Sequence, residues 1–151
     1  MNQLQNTKVV NITPPAAIVD NAAFTTLELD TKGWDYCQIF AFIGATDIAL
    51  TVLQVTESDA AGSGHAAITG TVVGTAANID GATSALPGAG DDNKFVVFDI
   101  DLRGRKRYLD LNVTIGDGSV GGFVAAWAML SRGKEAPVTM AERGALLVMR
   151  V

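Results

Sequence analysis

The sequence predicts an all-β protein: an antiparallel β-sandwich or jelly-roll-like body with an extended N-terminal arm and a C-terminal extension. Three observations carry this expectation. Residues 94–132 read KFVVFDIDLRGRKRYLDLNVTIGDGSVGGFVAAWAMLSR, apolar segments rich in Val, Ile, Phe, Leu, Tyr and Trp divided by polar, glycine-bearing turns. That is the pattern of an antiparallel meander. Residues 34–43 (WDYCQIFAFI) place Trp34, Tyr36, Gln38, Phe40 and Phe42 on one face and Cys37, Ile39, Ala41 and Ile43 on the other. Both faces are largely apolar, which predicts a central strand covered on both sides. The strand candidates number roughly eight, which suits a two-sheet sandwich or jelly roll.

A chain of 151 residues fits one domain, with or without arms. At this size it buries on the order of 70% of its unfolded surface, enough for a real core. Hydrophobic residues make up 48% and charged residues 18%, so the chain is not of the disordered class. So little charge with a positive mean hydropathy predicts that partners cover part of the apolar surface. A net charge of −5 argues against nucleic acid, whose binders neutralise phosphates with Lys and Arg. No apolar run reaches the roughly 18 residues that span a bilayer. The N-terminus MNQLQNTKVVNITPP lacks a charged-then-apolar export layout, so synthesis in the cytoplasm without export is expected.

Residues 1–23 are polar, contain Pro14 and Pro15, and show no helical period. Proline cannot donate to a central ladder, so this segment reads as an arm outside the core. Its apolar pieces Val9, Val10 and Ile12 are candidate partner contacts. The body spans residues 24–130. Phe24, Leu27 and Leu29 open a strand that turns at residues 30–33, and after residues 34–43 the chain turns at 44–47. Residues 48–55 (IALTVLQV) are expected to pair back as a hairpin partner. Residues 57–90 are dominated by Ala, Gly, Ser, Thr and Asp, a long surface loop with a short strand candidate near residues 68–73. The meander follows. Residues 131–151 form the C-terminal extension, whose terminal strand ALLVMRV either completes the sheet or docks on another subunit. Leu146, Leu147 and Val148 are therefore candidate contacts.

Each chemistry-like motif has a plainer explanation. Gly116-Asp-Gly118-Ser-Val-Gly121 matches the dinucleotide fingerprint, and Glu135 sits near the place of a ribose-binding acid. Only 30 residues follow Gly121, too few for the rest of such a fold, so a hairpin loop is expected. The cluster Arg103, Arg105, Lys106 and Arg107 lies between strands that carry Asp99, Asp101 and Asp110. It reads as a solvated turn balanced by those carboxylates, or as a contact patch for an acidic partner surface. Asp91-Asp92-Asn93 lacks the alternating ligands of a calcium loop and reads as turn chemistry. His65, the only histidine, stands in a Gly/Ala loop and reads as solvent-exposed. Cys37 is a lone core thiol without a nearby base. No catalytic, metal or cofactor set emerges, and a non-enzymatic protein is expected.

The segments GWDYCQIFAFIGATDIAL and TESD, then LRGRKRYLDLNVTIGDG, AWAMLSR and EAPVT-x-AERG, resemble the capsid decoration, or cement, proteins of tailed bacteriophages. The resemblance runs from about Phe24 to Gly144. It implies a β-rich body, often a homotrimer, seated on the capsid surface of the virion over junctions between capsomers. Extended termini would reach neighbouring subunits. The implied partners are the major capsid protein and further copies of this chain. The implied function is to cement adjacent capsid subunits, with no catalytic residue and no cofactor. Two other classes remain open: another virion β-protein, such as a tail-tube or head–tail connector subunit, and a carbohydrate- or receptor-binding β-sandwich.

Overall fold

The computed structural model describes residues 6–14 and 17–149. Its strands are β1 (Thr7–Asn11), β2 (Leu29–Asp30), β3 (Trp34–Thr46), β4 (Leu50–Ser58), β5 (Ala66–Ala67), β6 (Lys94–Asp101), β7 (Tyr108–Ile115) and β8 (Gly122–Gly133). They form two four-stranded antiparallel sheets, ordered β1-β8-β3-β6 and β2-β7-β4-β5. No helix among the described residues is long and apolar enough to cross a membrane.

The expected meander is not there. β6 pairs with β3, β7 lies in the other sheet, and β8 returns to the first. The expected hairpin of residues 34–43 with 48–55 fails likewise, since β3 pairs with β6 and β8 while β4 pairs with β5 and β7. Apolarity and turn residues locate strands but do not choose partners. The connections at residues 102–107 and 116–121 are longer than the two-residue turns that lock adjacent strands together. They let the chain swing to the opposite sheet, where each strand's apolar face meets one from across the core. The pairings nest: β1 with β8, β2 with β7, β3 with β6 and β4 with β5, with β8–β3 and β7–β4 contacts completing the sheets.

Alternation of side chains along each strand builds one core from both sheets. The first contributes Cys37, Ile39, Ala41, Ile43, Phe98, Ile100, Val124, Ala126, Ala128 and Leu130. The second contributes Leu29, Leu50, Leu53, Val55, Leu109, Leu111, Val113 and Ile115. Each fully buried Leu, Ile or Val contributes about 1.5–3 kcal/mol of transfer free energy, so this cluster holds the sheets face to face. Residues 34–43 do lie within a central strand, β3 between β8 and β6, and β8 is central as well, between β1 and β3.

The N-terminal segment departs from the arm expected of it. Thr7–Asn11 pairs with β8 from Thr7↔Ser131 to Asn11↔Trp127. Ile12 is only 1% exposed and Val10 packs on the core. Val19 bridges Gly122 and Ala23 bridges Thr114. Proline restricts only its own position and its neighbour's, so Pro14 does not keep residues 7–13 out of the sheet. Residues 1–5, 15 and 16 lie outside the described residues.

Phe24 is buried, but the strand expected from it starts only at Leu29, and Leu27 is exposed. The strand candidate at residues 68–73 is a 3-10 turn over Thr69–Thr71 beside the two-residue β5. The expected terminal strand has not formed: residues 145–149 carry no strand pairing, and Leu146, Leu147 and Met149 are exposed. Arg150 and Val151 lie outside the described residues.

Candidate interaction surface

The outward face of the β1-β8-β3-β6 sheet carries most of the aromatic residues of the chain. Register places Phe42 between Phe95 and Ala125, and Phe40 between Val97 and Trp127. The rings interlock. Phe40 stacks on Trp127 with centroids 5.7 Å apart, Phe42 meets Phe95 at 4.9 Å, and Phe95 meets Trp127 edge-on at 5.7 Å. Such packing orders the rings without hiding them: Phe95 remains 52% exposed, and on the same face Val97 is 47% and Phe123 41% exposed.

The two-sided apolarity of residues 34–43 is therefore real, but only the Cys37–Ile43 face is covered within the chain. The other face is half-buried and open. The sequence marks Phe40 and Phe42 as one face of a covered central strand and Phe95, Val97, Phe123 and Trp127 as strand residues of a meander, and does not mark them as an open surface. The signal was present in that second apolar face. Beyond the rings the surface turns polar. Tyr36 takes a cation–π contact from Arg132 at 5.2 Å, and its phenol is pushed above its ordinary pKa by hydrogen bonding to Asp99.

The basic turn is balanced by carboxylates. Arg103 pairs with Asp101, Arg105 with Glu57 at 3.4 Å, Lys106 with Asp59 at 4.0 Å and Arg107 with Asp30 at 2.7 Å. Of the acids expected to balance it, only Asp101 does so; Asp110 instead accepts from the Thr26 hydroxyl at 2.8 Å. The others come from β2 (Asp30), from the end of β4 (Glu57) and from just beyond it (Asp59), adjacent in space but distant in sequence. The forked Arg107 contact holds the Asp30 carboxyl below its ordinary pKa against the opposing effect of burial. Arg107 also lies 4.8 Å from the Tyr108 ring centre. Apart from the largely buried Glu57, the paired side chains are solvent-exposed, where each pair contributes little to stability.

The GDGSVG loop joins β7 to β8 across the two sheets, so it is not the expected hairpin loop. Its amides already hold an anion supplied by the chain. Ser119, Val120 and Gly121 donate to the Asp47 carboxylate at 2.6, 2.8 and 2.9 Å, and Gly118 donates to Asp20 at 3.0 Å. Partial burial would raise the Asp47 pKa, and the three amides outweigh it, leaving the carboxyl below its ordinary value. Gly121 needs to be glycine: its φ is +85°, and a Cβ there would overlap the Val19 carbonyl.

Asp91 and Asp92 are engaged in turn contacts. Asp91 pairs with Lys94 at 2.9 Å and accepts from Gly88 at 3.1 Å; Asp92 accepts from Thr46 at 3.0 Å. Among the described residues no cluster of three or more His, Cys, Asp or Glu forms a metal-binding group. His65 is not the exposed loop residue expected, since its side chain is 17% exposed and its Nε2 lies 3.1 Å from Glu28. Cys37 is fully buried in β3, and burial first, then Asp99, pushes its thiol up to about 12.

The other predicted contacts do not form one exposed patch. Ile12 is core and Val10 faces inward, so neither offers a contact to a partner. Val9 lies in an edge strand that is itself partly covered, its N–H donating to Arg143 at 2.8 Å. Leu146 and Leu147 are open to solvent, and Val148 is half-buried. No protein-family model, curated protein or solved structure matches this chain.

Proposed function

We propose that this protein is a structural, non-enzymatic component of a tailed-phage virion. It binds the outer surface of the capsid and cements adjacent major capsid protein subunits. The observation that carries the reading is the open aromatic face built from Phe40, Phe42, Phe95, Phe123 and Trp127. Soluble monomers rarely expose a contiguous apolar patch larger than a few hundred Å² without a partner. Interlocked rings on a rigid sheet have little conformational freedom left to lose on binding. The resemblance of residues 24–144 to decoration proteins supplies the partner: the capsid lattice, with further copies of the chain as neighbours.

On this reading the two sheets form a jelly-roll sandwich. Its support is the nested pairing of first strand with last through fourth with fifth, which is what rolling up one long antiparallel hairpin produces. The effect on the shell would be mechanical. A ligand that binds only the closed lattice stabilises it by mass action, and many copies multiply a modest contact.

The test is done on particles. Shells stripped of the protein should release DNA at a lower temperature than decorated ones, and adding back pure protein without any cofactor should restore them. A Phe95→Ser/Phe123→Ser variant should fold but fail to restore. Stripped shells that withstand heating as well as decorated ones, or recovery of the protein only in tails, would refute the proposal.

A further inference from the structure

Two unsatisfied features of the chain lie at opposite edges of one sheet. The first is the outer edge of β6. This strand ends the β1-β8-β3-β6 sheet and pairs only with β3. Among the described residues, no backbone hydrogen bond is made along its other edge. Such an edge is a template for another strand, and natural sheets protect it with proline, bulges or lysines. The middle of β6, Phe95-Val96-Val97-Phe98, has none of these. A groove of about 330 Å³ runs beside it, walled on the far side by Thr71, Val73, Ala77 and Ser84 of the loop between β5 and β6. The groove continues toward Gln38 and Asp99.

The second feature is the segment of residues 145–149. It is apolar and strand-like in composition, yet Leu146 is 98%, Leu147 64% and Met149 77% exposed. Its starting point is anchored: Gly144 lies against the Val9 carbonyl, and the Val9 N–H donates to Arg143 at 2.8 Å. It therefore departs from the β1 edge, the edge away from β6.

We propose that residues 145–149 of one copy enter the β6 groove of a second copy and pair along the free edge of β6 as an added strand. Length excludes the same copy. To lie beyond β6 the segment must cross four strand spacings, about 19 Å at about 4.8 Å each. Five fully extended residues reach at most about 18 Å, so none would remain to pair. Strand addition supplies affinity through main-chain hydrogen bonds, and the groove selects side chains. The contact joins unlike surfaces, β1 edge to β6 edge, so it repeats head to tail and closes into a ring when the rotation permits. It does not depend on the capsid reading, because it is tested on pure protein without shells.

The experiment compares the wild type with Leu146→Asp/Leu147→Asp, whose side chains are solvent-exposed in the monomer and whose replacement should leave the fold intact. Sedimentation at tens of micromolar should show the wild type as an oligomer and the variant as a monomer with the same β circular dichroism. Amides of β6 should exchange at least tenfold more slowly in the wild type. As a second measurement, single variants Leu146→Cys and Val97→Cys are mixed under mild oxidation. A disulfide joining the two different chains is expected. A monomeric wild type, an oligomer that survives the aspartates, or absence of that cross-link would overturn the proposal. A monomer with protected β6 amides would also overturn it, by showing that the segment folds onto its own copy.

Discussion

Replacing Ile12 with Ala tests whether the N-terminal segment belongs to the core. Ile12 is 1% exposed. Its N–H donates to the Ala126 carbonyl at 3.0 Å, and its own carbonyl accepts from Leu27 at 2.7 Å, so backbone bonds fix the residue in place. Truncation removes three carbons, a transfer loss of about 2.4 kcal/mol at about 0.8 kcal/mol each. A backbone held at both sides cannot collapse fully into the gap, so a cavity contribution brings the cost to about 3 kcal/mol, within the usual range for such changes. For a domain near this size that corresponds to a melting shift of roughly 6–12 °C. Differential scanning calorimetry and urea unfolding would measure it, with an unchanged urea slope showing that the denatured state is not altered. Val138→Ala, at 82% exposure, serves as control and should stay within about 0.5 kcal/mol. If Ile12→Ala melts within about 2 °C of the wild type, the segment is a detachable arm and its place in the core is wrong.

Two further outcomes follow from the buried and hydrogen-bonded groups. Asp47 has a folded-state pKa below its ordinary value, so the stability it adds is present above the ordinary carboxylate range and is lost as pH falls through the folded value. Wild-type melting temperature should therefore decline below about pH 4. Asp47→Asn should melt lower at pH 7 and decline less steeply in acid; identical acid slopes would refute the role of the carboxylate at the 119–121 amides. Cys37, fully buried with its thiol pushed up to about 12, should resist a disulfide reagent at pH 8 in the native protein and react promptly in denaturant. Rapid native labelling would show that β3 opens far more readily than its central position implies.

The all-β character, the positions of the long strands and the central place of β3 were legible in the sequence. They rest on local physics: alternation, β-branched and aromatic enrichment, and turn residues. The carboxylate balance of Arg103–Arg107 was legible in kind but not in partner, since Asp30, Glu57 and Asp59 come from elsewhere in the chain. Strand pairing was not legible. Whether β7 follows β6 within a sheet or crosses to the other one depends on which apolar faces meet across the core, a choice made by the whole chain at once. The same holds for Ile12, whose surroundings of prolines and polar residues hide that β8 and the core reach out to it. It holds also for Phe95, Val97 and Phe123. Local pattern marks them as apolar strand residues, and only the assembled sheet decides that their side faces out, because the described residues place no further layer over them.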